Sequence, residues 1–141
     1  MALKTTAPRI LESRLETLGD TLRDACPEVE FAYLFGSAAK GQIKPLSDID
    51  IAVFLEPAAD QFNSKLRVLA AASKHLATDR LDIVVLNTAP LSLAGRIVAG
   101  RRVILERKPF ARQSYEALVI RQFADFRLFE RRHFAKRERR G

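Results

Sequence analysis

Asp48 and Asp50 stand one residue apart where an apolar run opens, Asp48-Ile49-Asp50-Ile51-Ala52-Val53-Phe54-Leu55. On a strand, a period of two sends both carboxylates to one face. Two like charges placed together repel and lose hydration, an arrangement that is tolerable when a divalent cation lies between them. Asp82 has the same setting in Leu81-Asp82-Ile83-Val84-Val85-Leu86, where it interrupts residues that otherwise read as core. If the two runs are neighbouring strands, three carboxylates converge. Oxygen donors with no adjacent Cys or His favour a hard ion such as Mg²⁺ over zinc. Gly36-Ser37 closes another apolar run and Gly41 follows shortly. A tight glycine turn lets backbone N–H groups approach phosphate oxygens, and Lys40 and Lys44 add positive charge beside it. The spacing is not that of a Walker loop. Phosphate next to carboxylates implies a metal-bridged nucleotide. Each part alone is weak, because a Gly-Ser turn is usually structural and Asp-x-Asp at a strand entrance often serves as a turn or cap.

The elements that must position these residues follow from hydrophobic periodicity. Ile10, Leu11, Leu15, Leu18 and Leu22 have helical spacing behind Pro8, which predicts a helix to about Cys26, ended by Pro27. Val29 to Phe35 is aromatic and β-branched, a strand signal. Residues 37–47 form a polar, flexible stretch before the strand from Asp48 to Leu55. So short a connection permits an antiparallel pair more readily than a parallel crossover. A long helix is expected from Asp60 to about Ala77, a third strand from Arg80 to Asn87, a short helix from Pro90 to Val98 and a fourth strand from Arg102 to Glu106. From Pro109 the pattern is helical almost to the end. The fold class is therefore α/β (α+β), a small mixed sheet flanked by helices in two or three layers.

Bulk properties bound the reading. With 141 residues, 48% apolar and 29% charged, the chain has room for one domain spanning 1–141 and argues against disorder. No apolar run reaches the ~20 residues of a membrane span, and no long apolar core marks a signal peptide, so a cytoplasmic protein with no membrane partner is expected. The lone Cys26 fits a reducing compartment and reads as core. Net charge is −1 over residues 1–100 and +8 over 101–141. The tail therefore suits an anionic partner, nucleic acid or an acidic protein surface, or is a solvated helix face. His75 and His133 read as surface residues, whereas Phe31, Tyr33, Phe35 and Phe54 read as packing. The last helix, at ~1.5 Å per residue, outruns a small domain. Its Phe123, Phe126, Phe129 and Phe134, flanked by arginines, suggest core packing for the first half and a protein interface for the second.

Taken together, Gly36-Ser37, a loop, Ser47-Asp48-x-Asp50 and a lone Asp82 in a later apolar strand resemble the nucleotidyltransferase fold of the DNA polymerase β superfamily. More narrowly, the chain is similar to the minimal nucleotidyltransferases, which include the MntA-type antitoxins, and the likeness extends to length, element order and the long C-terminal helix. The resemblance implies that Gly36 and Ser37 hold the triphosphate of ATP, with Lys40 and Ser47 as further nucleotide-binding positions. It implies that Asp48 and Asp50 coordinate Mg²⁺ and that Asp82 completes the metal site and helps activate an attacking hydroxyl. Lys40 stands where such relatives often carry arginine, which keeps the charge but loses bidentate geometry. The implied activity is transfer of AMP from ATP to a partner protein, with an HEPN-domain toxin as partner, a tyrosine as acceptor and a helix of about residues 110–138 as the partner-binding element of a hetero-oligomer. Two alternatives stay open: an antitoxin that works by complex formation alone, and transfer to RNA or a small molecule.

Overall fold

β1 (Val29–Phe35) is the strand around which the chain is built. A computed structural model describes the backbone of residues 8–43 and 48–140 and the side chains of residues 9–43 and 48–134. In the four-stranded sheet, β1 pairs antiparallel with β2 (Ile49–Leu55) on one side and with β4 (Arg102–Glu106) on the other. β3 (Leu81–Val85) adds to β2 in parallel, giving the order β3-β2-β1-β4. Around the sheet lie α1 (Pro8–Ala25), α2 (Gly36–Ala39), α3 (Gln61–Leu76), α4 (Leu91–Ala99) and α5 (Pro109–Arg140), with a 3₁₀ turn at Leu86–Thr88.

The alternation of side chains divides the interior into two cores. Ala32, Leu34, Ile51, Val53 and Leu55 face α1 and α3, where they meet Leu11, Leu15, Leu18 and Leu22 of α1 and Val68, Ala72 and Leu76 of α3. Phe31, Tyr33, Ala52 and Phe54 face the other way, toward Leu93 and Ile97 of α4 and Tyr115 of α5. Phe54 stacks on Phe31 with ring centroids 4.9 Å apart. The result is a three-layer arrangement in which both faces of β1 are covered. In α3 the buried stripe is Ser64, Val68, Ala72 and Leu76, while Phe62 and Leu66 point outward.

Helix ends follow local chemistry. Asp60 caps α3 by accepting from the Asn63 backbone N–H, and Ala77 ends it in the left-handed region at φ 53°. Gly19 lets α1 lie directly against the backbone of β4, where a Cβ would meet the Ile104 carbonyl. α5 is tied to the sheet by a buried carboxylate: Glu116 accepts from the Tyr33 hydroxyl at 3.0 Å and pairs with Arg101 and Arg112. Arg112 also reaches Glu106 of β4 at 3.1 Å.

Three expectations need correction. The stretch after β1 is not wholly a flexible loop, because Gly36–Ala39 makes the helical turn α2 before the chain turns at Lys40 and Gly41. His75 is not a plain surface residue. Half-buried between α3 and α1, its Nε2 lies 2.9 Å from the Arg14 carbonyl and its Nδ1 3.0 Å from the Thr21 hydroxyl. A carbonyl only accepts, so Nε2 carries the proton and Nδ1 can accept from Thr21. Finally, the first half of α5 contributes less to the core than its composition implies. Glu116 and Val119 are buried, whereas Leu118 and Ile120 are exposed. At ~1.5 Å per residue its 32 residues extend ~48 Å. His133 is exposed as expected and stacks near Phe129. Among the described residues no helix is long and apolar enough to cross a membrane.

Candidate functional site

The parallel register of β2 and β3 sets Asp50 opposite Asp82. Side chains alternate, so Asp50 shares its face with Ala52 and Phe54, the face covered by α4 and α5. The carboxylates lie at the end of that face where β1 stops, since Phe35 is the register partner of Asp50. Asp48 precedes β2 by one residue and is exposed, as is Asp82, while Asp50 is half-buried. Burial pushes the Asp50 carboxyl above its ordinary value, and the charges of Asp82 and then Asp48 push it further. Asp50 thus lies in the repulsive field of both other aspartates. Among the described residues, however, no group of three His, Cys, Asp or Glu side chains is drawn closely enough together to hold a metal ion as it stands.

Gly36 meets this cluster from β1. Its φ of +67° is the left-handed region that disfavours a side chain, and a Cβ there would come within 2.5 Å of Asp50 Oδ2. Glycine is therefore required twice over, for the turn and for the approach to the carboxylate. Gly36, Lys40 and Asp50 line one pocket of ≈ 300 Å³, closed on its other side by Leu93 and Arg96 of α4. Ser37 is half-buried in α2 and its carbonyl accepts from the N–H groups of Lys40 and Gln42. Ser47 and Lys44 lie outside the described residues. On the far side of Leu93, Asp82 lines a second pocket of ≈ 360 Å³ with Phe62, Lys65 and Pro90.

The fold brings Gly36, Lys40 and Asp50 into one pocket and sets Asp82 beside Asp50 in the adjoining strand. Arg96 is the residue that the sequence reading missed. Its signal was available: it is the single charge in Leu93-Ala94-Gly95-Arg96-Ile97-Val98-Ala99, where its neighbours Ala94, Gly95, Ile97 and Val98 are buried. Arg96 is exposed at the edge of the pocket that Gly36 and Asp50 line.

A family model described as polymerase beta, nucleotidyltransferase, matches residues 16–110. The chain belongs to the polymerase β nucleotidyltransferase family. The matched span holds Gly36, Ser37, Lys40, Asp48, Asp50, Asp82 and Arg96, and it ends two residues into α5. The match runs from within α1 through β4, and nearly all of α5 lies outside it. A search of curated protein sequences found no match. Solved structures share the fold: a toxin–antitoxin complex with AMP-PNP has a TM-score of 0.67 at 23% identity, covering 89% of this chain and 96% of that one. The MntA–HepT toxin–antitoxin has a TM-score of 0.62 at 21% identity, covering 91% and 97%. A complex of tri-AMPylated Shewanella oneidensis HEPN toxin with MNT antitoxin has a TM-score of 0.63 at 21% identity, covering 92% and 98%.

Proposed function

We propose that this nucleotidyltransferase transfers AMP from ATP to a hydroxyl of a partner protein, a tyrosine of an HEPN-domain toxin, and serves as the antitoxin of that pair. The observation that carries the reading is the Asp50–Asp82 register pair beside Gly36 and the cationic residues of the adjoining pocket. Structures of the same fold hold AMP-PNP in one case and accompany a tri-AMPylated HEPN toxin in another, which supports ATP as donor and protein as acceptor. A cytoplasmic setting and a single domain over residues 1–141 go with this reading.

The donor set fits a hard divalent cation, since it consists of carboxylate oxygens without sulfur or imidazole. Asp48, Asp50 and Asp82 would hold Mg²⁺, the exposed Asp48 and Asp82 turning toward Asp50. When bound, Mg²⁺ neutralises charge on the reacting phosphate oxygens. The chain's own residues do the rest. Gly36 admits phosphate close to the backbone, Ser37 and Lys40 flank it, and Asp82 accepts the proton of the incoming hydroxyl. The hydroxyl oxygen forms its bond to the α-phosphorus in line with the bond that breaks, between that phosphorus and the α,β-bridging oxygen, and pyrophosphate leaves. No covalent enzyme intermediate is required.

α5 is the proposed partner-binding element. Phe126, Leu128, Phe129 and Phe134 are exposed along it among Arg127, Arg131 and Arg132, an aromatic and guanidinium surface of the kind that anchors protein interfaces. That surface also favours the second reading, an antitoxin acting by complex formation. The two separate in one experiment: purified protein, Mg²⁺ and α-labelled ATP are mixed with a lysate of its host beside an Asp48→Asn/Asp50→Asn control. Label on one discrete protein, lost in the control, is the expected outcome. No label from a folded protein that still retains a partner on an affinity column would refute catalysis in favour of binding.

A further inference from the structure

We infer that Arg96 is a polyphosphate-binding residue, its guanidinium taking the β- and γ-phosphates of the nucleotide and so setting the preference for ATP over AMP. The inference rests on the nucleotidyltransferase reading but reaches a residue that the motif reading did not include. Arg96 lines the ≈ 300 Å³ pocket with Gly36, Lys40, Asp50 and Leu93. Its side chain is exposed and largely uncommitted. Arg67, Arg101, Arg102 and Arg112 are each paired with a glutamate. Among the described residues Arg96 has no carboxylate partner, and its one hydrogen bond runs from Nε to the Ser92 carbonyl at a long 3.4 Å. Both terminal nitrogens remain for a ligand.

The chemistry assigns which ligand atoms they meet. The α-phosphorus must lie at the carboxylates, where the new bond forms, so the remaining two phosphates extend from Asp50 across the pocket toward Lys40 and Arg96. These phosphates carry most of the charge, and the pocket offers two cations, Lys40 and Arg96. Lysine is a point charge, whereas the guanidinium fork matches two phosphate oxygens at once. Arg96 sits on α4 and Lys40 follows α2, so the two would hold the pyrophosphate half from separate elements. Before transfer this orients the donor, and afterwards it holds the leaving group.

Titration calorimetry of the full chain with ATP, AMP and inorganic pyrophosphate, each with Mg²⁺, tests the assignment without an acceptor. For Arg96→Ala the dissociation constants of ATP and pyrophosphate should rise about 10- to 100-fold, the range of a charge-assisted hydrogen-bonded contact. That of AMP should stay within about twofold, which also reports that the site is folded. Arg96→Lys should fall between wild type and Arg96→Ala for ATP. An unchanged ATP affinity in Arg96→Ala, or an equal loss for ATP and AMP, would overturn the assignment. Wild-type protein that binds no ATP at all would overturn both this inference and the nucleotidyltransferase reading. ATP binding that depends on Arg96, with no protein labelled in the lysate, would sink only the proposed acceptor.

Discussion

Replacing Asp50 by asparagine should stabilise the nucleotide-free protein while abolishing its chemistry. Asp50 and Asp82 are register partners in adjacent parallel strands, so their carboxylates project from positions about 5 Å apart. Two unit charges at that distance repel by about 3 kcal/mol at an effective dielectric of 20 and by about 1 kcal/mol in water. Asp82 is exposed and Asp50 only half-buried, so solvent screening selects the lower end, about 1 kcal/mol. Burial and both neighbouring aspartates raise the Asp50 carboxyl above 3.8. The folded state therefore holds this proton more tightly than the unfolded chain does. The cost of the charged form is absent below 3.8 and complete above the raised folded value. In EDTA at pH 7, Asp50→Asn should melt about 3 to 4 °C above wild type, and the gain should vanish near pH 3. Mg²⁺ should raise the melting temperature of wild type more than that of the variant. Equal melting temperatures at pH 7, or a gain that persists undiminished at pH 3, would refute the view that repulsion among these carboxylates is what a cation relieves.

Other perturbations read other parts of the structure. Gly36→Ala should cost about 1 to 2 kcal/mol in urea denaturation, because φ is +67°, and should lower transfer of label by about 100-fold as its Cβ displaces the Asp50 carboxylate. Gly19→Ala should cost about 1 to 3 kcal/mol by the same assay, since the methyl group meets backbone rather than a movable side chain; a neutral result would mean that α1 does not lie on β4 as described. Glu116→Ala should cost about 2 kcal/mol, for it leaves the buried Tyr33 hydroxyl without its acceptor and Arg112 with Glu106 as its remaining carboxylate, while the half-exposed Arg101 adds little. Deleting residues 125–141 should leave the melting temperature within about 2 °C, because the described side chains there are exposed or half-buried, yet it should abolish retention of the partner on an affinity column.

The sequence by itself determined the local elements and the chemistry they could carry. Val29–Phe35 and Arg102–Glu106 fall where β-branched and aromatic runs predict strands, and the short connection after β1 made β1 and β2 antiparallel as expected. The charge pattern Asp-x-Asp and the isolated Asp82 were legible because a carboxylate inside an apolar strand contradicts its surroundings. Where that contradiction was weaker, the signal was lost. Arg96 was passed over because a lone arginine on a helix is ordinarily a solvated one. His75 reads as a surface residue in the sequence because its partners in α1 are some 60 residues distant and no local pattern announces them. Phe62 and Leu66 show the same limit from the apolar side: periodicity finds the helix, but only the packing of α3 against α1 and the sheet decides that Val68, Ala72 and Leu76 face inward. Tertiary structure alone decided that β3 lies parallel beside β2, and with it the pairing of Asp50 and Asp82. It also decided that α4 lines the pocket that holds Gly36. The physical reason is one of range. Propensity and periodicity act over a few residues, whereas a site assembled from β1, β2, β3 and α4 exists only once non-local burial has fixed which strands adjoin and which helix covers them.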